Sequence, residues 1–99
     1  MLSREDFIFT IGYEGRAAVV DARAKKKYGN LSTMELAREG LFRAAFCSAL
    51  YSGSDEEMRE FLDYFNSLSS YKKYDLESAK RLFGVDGIPE GIDRVMNIA

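Results

Sequence analysis

The amino-acid sequence predicts an α+β fold. An N-terminal antiparallel β-hairpin, at about 7–13 and 17–24, precedes three to four α-helices at about 33–51, 55–69, 76–83 and 89–97. Three observations carry this. FIFTIGY at 7–13 alternates large apolar side chains with others, the period of a half-buried strand. Ser32 with Glu35, and Ser54 with Glu57, match the S-x-x-E capping box that opens a helix. Between them residues 41–50, LFRAAFCSAL, are apolar at eight of ten positions, a run that reads as a helix covered on several sides.

In the hairpin, Glu14 and Gly15 supply a two-residue loop, with Gly15 able to take positive φ. That loop pairs Tyr13 with Arg16 and sets Phe7, Phe9 and Ile11 opposite Ala22, Val20 and Ala18. A hairpin alone is marginal in water, so the Phe7, Phe9 and Ile11 face requires a helix or a second chain to cover it. The first long helix runs from Thr33 to Tyr51, with Gly40 inside it at a cost of roughly 1 kcal/mol relative to Ala. Met58, Phe61, Leu62, Phe65 and Leu68 then fall on one face of the next helix, while Glu56, Arg59, Glu60 and Asp63 face outward. The short Ser52-Gly53 link predicts that these two helices are antiparallel neighbours. Asp75 caps a third helix ending at Gly84, and Pro89 fits the first turn of a fourth, with Ile92, Val95 and Met96 spaced helically.

Composition bounds the function more firmly than any motif. At 99 residues the chain reads as a single domain, and its 46% apolar and 30% charged content is that of a folded protein. There is no histidine and one cysteine, Cys47. Within one chain this removes zinc sites, Ser-His and Cys-His nucleophile pairs and an internal disulfide. The N-terminal MLSREDF has no apolar signal core and no stretch reaches membrane-spanning length, which predicts a cytoplasmic protein. Net charge is −2, with eight Lys/Arg against six Asp/Glu in residues 1–50 and six against ten in 51–99. That balance disfavours a dedicated nucleic-acid binder.

Two clusters place cations beside aromatic rings: Lys25, Lys26, Lys27 and Tyr28, with Arg23 just before them, and Tyr71, Lys72, Lys73 and Tyr74. Such groups contact phosphates and stack on bases, although charge runs serve more often as solvated faces. Residues 76–96 resemble a helix-turn-helix, with Ala79 in the first helix, a Gly-Val turn and Ile92 in the second. A groove-reading helix presents basic and amide side chains, whereas this one offers Glu90, Asp93 and a single Arg94. Glu56, Glu60 and Asp63 share a helix face but lack calcium-loop spacing, and first-turn acids are explained by capping. Cys47, in the most apolar stretch, reads as a buried small hydrophobe.

The expectation is therefore a non-enzymatic domain with no cofactor, no metal and no membrane partner. It acts through protein–protein contact and associates with itself as a homodimer. Its aromatics Tyr13, Tyr28, Tyr51, Tyr64, Tyr71 and Tyr74 are candidates for an interface. The alternative is a nucleic-acid-associated accessory protein that uses the two Lys/Tyr clusters.

Overall fold

The computed structural model describes residues 2–68 and 72–98. It is an α+β fold: an N-terminal β-hairpin belonging to a three-stranded mixed sheet, with helices following in sequence. The elements are α1 (Arg4–Ile8), β1 (Thr10–Glu14), β2 (Ala17–Asp21), α2 (Ala22–Tyr28), α3 (Thr33–Arg38), α4 (Phe42–Ser52), α5 (Asp55–Ser67), α6 (Leu76–Phe83) and β3 (Arg94–Ile98). The sheet order is β1-β2-β3, with β1 antiparallel and β3 parallel to β2.

The hairpin is shorter than the alternation predicts, and its register differs. Ser3 caps α1 by accepting from the Asp6 amide, and the helix buries Phe7 and Ile8 with Phe9 after them, at 2, 2 and 7% exposure. Three consecutive buried side chains suit a helix turning into a strand, because a strand would send Ile8 to the opposite face. The first strand therefore begins at Thr10 rather than residue 7, and Ile11 stands 61% exposed instead of sharing a face with Phe7 and Phe9. The loop is Gly15-Arg16 rather than Glu14-Gly15. Glu14 pairs with Ala17 and Tyr13 with Ala18, and Gly15 (φ 58°) takes the first loop position, where a type II′ turn requires positive φ. The second strand ends at Asp21, not 24, because Asp21 accepts from the Ala24 amide and caps α2. Ala and Lys extend that helix readily, and Lys25, Lys26 and Lys27 lie in its last turn, where cations complement the helix dipole.

The predicted helix at 33–51 is two helices. Its start is as expected, with the Ser32/Glu35 capping box complete. Gly40 does not sit inside a helix; it ends one. With φ 80°, Gly40 donates to the Ala37 carbonyl and Leu41 donates to the Leu36 carbonyl, the paired bonds of a Schellman motif. The chain then restarts as α4, which buries every residue from 44 to 49. It packs against α1, α3 and α5, so the apolar run is enclosed as its composition demands. The next helix ends at Ser67, and the end predicted at 69 lies outside the described residues. The helix at 76–83 matches, capped by Asp75 and closed by Gly84 at φ 70°.

The predicted helix at 89–97 is instead an irregular segment followed by β3, which also removes the second helix of the helix-turn-helix resemblance. Pro89 and Gly91 (φ 78°) interrupt the chain there. Both the Asp93 and Arg94 amides then donate to the Arg16 carbonyl, and the Asp93 carboxylate meets the Arg16 guanidinium at 2.9 Å. These contacts deliver residues 94–98 alongside β2, whose open edge offers backbone partners that an isolated helix would lack.

The core lies between the helices and the sheet. Phe46 stacks on Phe83 at 5.1 Å, and Phe61 stacks on Phe65 at 5.7 Å. Arg4 ties α1 to the 29–31 connection and to α4, donating to the Gly29 and Leu31 carbonyls and to the Ser48 hydroxyl, which also shares a hydrogen bond with Thr33. Among the described residues, no helix is long and apolar enough to cross a membrane.

Candidate interaction surface

Among the described residues the sheet carries five of the nine exposed large apolar side chains, Ile11, Tyr13, Val95, Met96 and Ile98; Leu68, Leu76, Leu82 and Ile88 stand exposed outside it. Alternation along β2 puts Ala18 and Val20, both 0% exposed, against the core, and puts Ala17, Val19 and Asp21 on the other face. The register carries that second face across the sheet: Gly12 lies beside Val19, Val19 beside Met96, and Asp21 beside Ile98. Met96 and Ile98 are 45 and 43% exposed, and Val95, on the core-side face, is 37% exposed. All five residues of β3 are exposed.

The two edges of the sheet differ in construction. On β1 the register shifts between Thr10 and Gly12, an irregularity that leaves Ile11 out of the ladder. The Thr10 carbonyl is taken by Arg43 Nη1 at 3.0 Å, and the strand ends on Glu14. A bulge, a side chain on the backbone and a terminal charge are devices that discourage another strand from adding. β3 runs in unbroken register from Arg94 to Ile98, with no proline and one charged residue, at its first position.

The two Lys/Tyr clusters fall on different elements. Lys25 pairs with Asp6 at 2.7 Å, Lys26 and Lys27 are exposed, and Lys27 stands over the half-buried Tyr28 ring at 5.2 Å. In the second cluster Tyr71 lies outside the described residues. Lys72 stands over the Tyr74 ring at 4.9 Å, and Lys73 Nζ donates to the Asn66 carbonyl at 2.8 Å. Tyr74 is anchored at the end of α5: its amide donates to Asn66 Oδ1, its carbonyl accepts from Asn66 Nδ2, and its ring meets Phe65. The first cluster packs toward β2 and β3, and the second toward α5.

A cleft of about 430 Å³ lies between β1 and the connection after α6, lined by Phe7, Tyr13, Arg43, Val85, Asp86 and Ile88. Arg43 is pinned there by two carbonyls, those of Thr10 and Phe83. Desolvation pushes the Tyr13 phenol above its ordinary 10.0, so it stays protonated at neutral pH. Cys47 is 1% exposed, and burial pushes its thiol up to about 11. A thiol so placed is a packing group rather than a nucleophile. Among the described residues no three His, Cys, Asp or Glu side chains gather as a metal site.

Of the predicted interface aromatics, Tyr13 is 46% exposed, whereas Tyr28, Tyr51, Tyr64 and Tyr74 are half-buried against the core. The sequence reading missed Val95, Met96 and Ile98 as strand residues. The available signal was the β-branched Val95 and Ile98 after Pro89 and Gly91, in a run too short to separate the two periods. Compared with models of protein families, with curated proteins and with solved structures, the chain matches none.

Proposed function

We propose that this chain is a non-catalytic interaction domain of the cytoplasm that works by binding protein, its own copies included, through the β3 side of its sheet. One observation carries the reading. A strand containing Val95, Met96 and Ile98 is exposed along its whole length, and among the described residues its outer edge has neither the register shift nor the side chain on its backbone that protect β1. The solution mass of the full chain by light scattering tests it, at low and high salt and micromolar concentration. A dimer at both salts supports an apolar, backbone-paired contact; a strict monomer removes self-association.

A second reading, association with nucleic acid, has exposed Arg23, Lys26 and Lys27 on α2 in its favour. Filter binding with mixed RNA and DNA at low salt addresses it. No retention there would leave α2 as a solvated face.

A further inference from the structure

We infer that the partner of β3 is β3 of a second copy, added antiparallel about a two-fold axis that passes beside Met96 and joins two three-stranded sheets into one of six strands. This rests on the self-association reading above and specifies its geometry.

The unequal edges select the pairing. A contact from β3 of one copy to β1 of the next would be head-to-tail, would leave a free β3 on every growing end, and would have to displace Arg43 from the Thr10 carbonyl. A contact from β3 to β3 uses the unprotected edge twice and closes. Full overlap of the five-residue strand about a two-fold fixes the register. Met96 then faces the partner's Met96, Val95 faces the partner's Asn97, and Arg94 faces the partner's Ile98.

The side chains agree with that register on the face away from the core. Val19 is the neighbour of Met96 in its own sheet, so a continuous apolar row forms from Val19 through Met96 to Met96 of the partner subunit and Val19 of the partner subunit. Charge is complementary in the adjacent rows. Arg94 is the one charged residue of β3, is 73% exposed, and has a single ion-pair contact, 3.7 Å from neighbouring Asp93. Across the pairing it lies beside the partner's Ile98, whose neighbour in the next strand is the partner's Asp21. Two strand spacings, about 10 Å between backbones, are within reach of an arginine bending toward a carboxylate. Asp21 uses Oδ1 on the Ala24 amide, and Oδ2 makes no other hydrogen bond among the described residues. The two-fold generates this pair twice and sets no like charges face to face.

The experiment uses the full chain as wild type, Met96→Cys, Ile11→Cys, Met96→Lys and Arg94→Glu. The wild type should weigh a dimer. Met96→Cys should be captured as a covalent dimer by mild oxidation or a short bis-maleimide, while Ile11→Cys, on the far edge, stays monomeric on the denaturing gel. Met96→Lys sets two ammonium groups together at the axis and should weaken association by about a hundredfold or more; Arg94→Glu, two strands across from the partner's Asp21, should weaken it by about tenfold. A wild-type monomer overturns the self-association reading and this pairing together. A wild-type dimer that Met96→Lys leaves intact, or that is captured through Ile11→Cys and not Met96→Cys, overturns this pairing alone.

Discussion

On the helical side of the sheet, Phe46 is fully buried, its ring 5.1 Å from Phe83 and 6.0 Å from Phe61. On β3, Met96 is 45% exposed at an open edge. Both are large apolar side chains in regular structure, yet one is enclosed by its own chain and the other is left to solvent. The aromatic cluster is thus enclosed within one copy, while Leu76 and Leu82 of α6 remain exposed. Its stability comes from enclosed aromatics, from Arg4 holding three partners, and from caps on α3, α5 and α6. β3 adds backbone hydrogen bonds on one side and buries little, which places it at the low end of local stability. Fold energy and the proposed interaction surface are separated in space, and substitutions in the two regions should have separable effects.

The largest effect is expected on the enclosed side. Phe61→Ala removes a 0% exposed ring that contacts Phe46, Phe65 and Phe83. It should cost about 3–5 kcal/mol in denaturant unfolding, and a loss under about 1 kcal/mol would mean that the aromatic layer is not the stabilising region. Next comes Arg4→Met, which keeps the aliphatic stem but strands the Gly29 and Leu31 carbonyls and leaves the Ser48 hydroxyl to Thr33 alone. Roughly 2–3 kcal/mol should be lost. Amide exchange should rise first in α1 and the 29–32 connection, because Arg4 ties these to α4.

How far the sequence foretold this division depends on the range of the forces involved. Local chemistry was legible: the Ser32/Glu35 capping box, the Asp75 cap, the stop at Gly84 and the amphipathic face with Met58 and Phe61 all appear where short-range signals put them, while of the Ser54/Glu57 box only the Ser54 half forms, the Ser54 amide donating to Ser52 Oγ instead. The enclosure of residues 44–49 followed from composition alone. Gly40 was misread because its pattern suits a helix interior and a Schellman stop equally, and only the φ of 80° decides between them. Phe7 and Phe9 mimicked strand alternation while Ser3 and Asp6 were setting a helix cap. β3 was the deepest miss. Ile92, Val95 and Met96 satisfy helical spacing, and what makes 94–98 a strand is the distant edge of β2, together with the Arg16 carbonyl and guanidinium that receive Asp93. The candidate surface was therefore invisible in the sequence, since it consists of an edge that exists only after two segments more than seventy residues apart have paired.

Cys47 gives a pH test of the enclosed side. Burial disfavours the thiolate and pushes the thiol from its ordinary 9.0 up to about 11. Below pH 9 it is protonated folded or unfolded, and its contribution is fully present. Between about 9 and 11 the unfolded chain ionises and the folded one does not, so stability falls as pH rises, by roughly 3 kcal/mol in all. Cys47→Ala should therefore show a shallower alkaline decline than the wild type in parallel denaturant titrations. Equal slopes would mean that α4 opens readily enough to hydrate its centre.

The smallest effect on folding should come from β3, and that smallness is informative. In dilute solution, where any dimer has dissociated, Met96→Ser removes a side chain that is already 45% exposed and should change unfolding free energy by less than about 0.5 kcal/mol. At high concentration the same substitution should lower the unfolding midpoint of the wild type's concentration-dependent transition, because a partner that binds only the folded chain stabilises it by mass action. A large loss in dilute solution would show that Met96 supports its own copy's core and would erase the contrast with Phe46. A negligible loss when dilute and a clear loss when concentrated would locate the function of β3 between copies rather than within one.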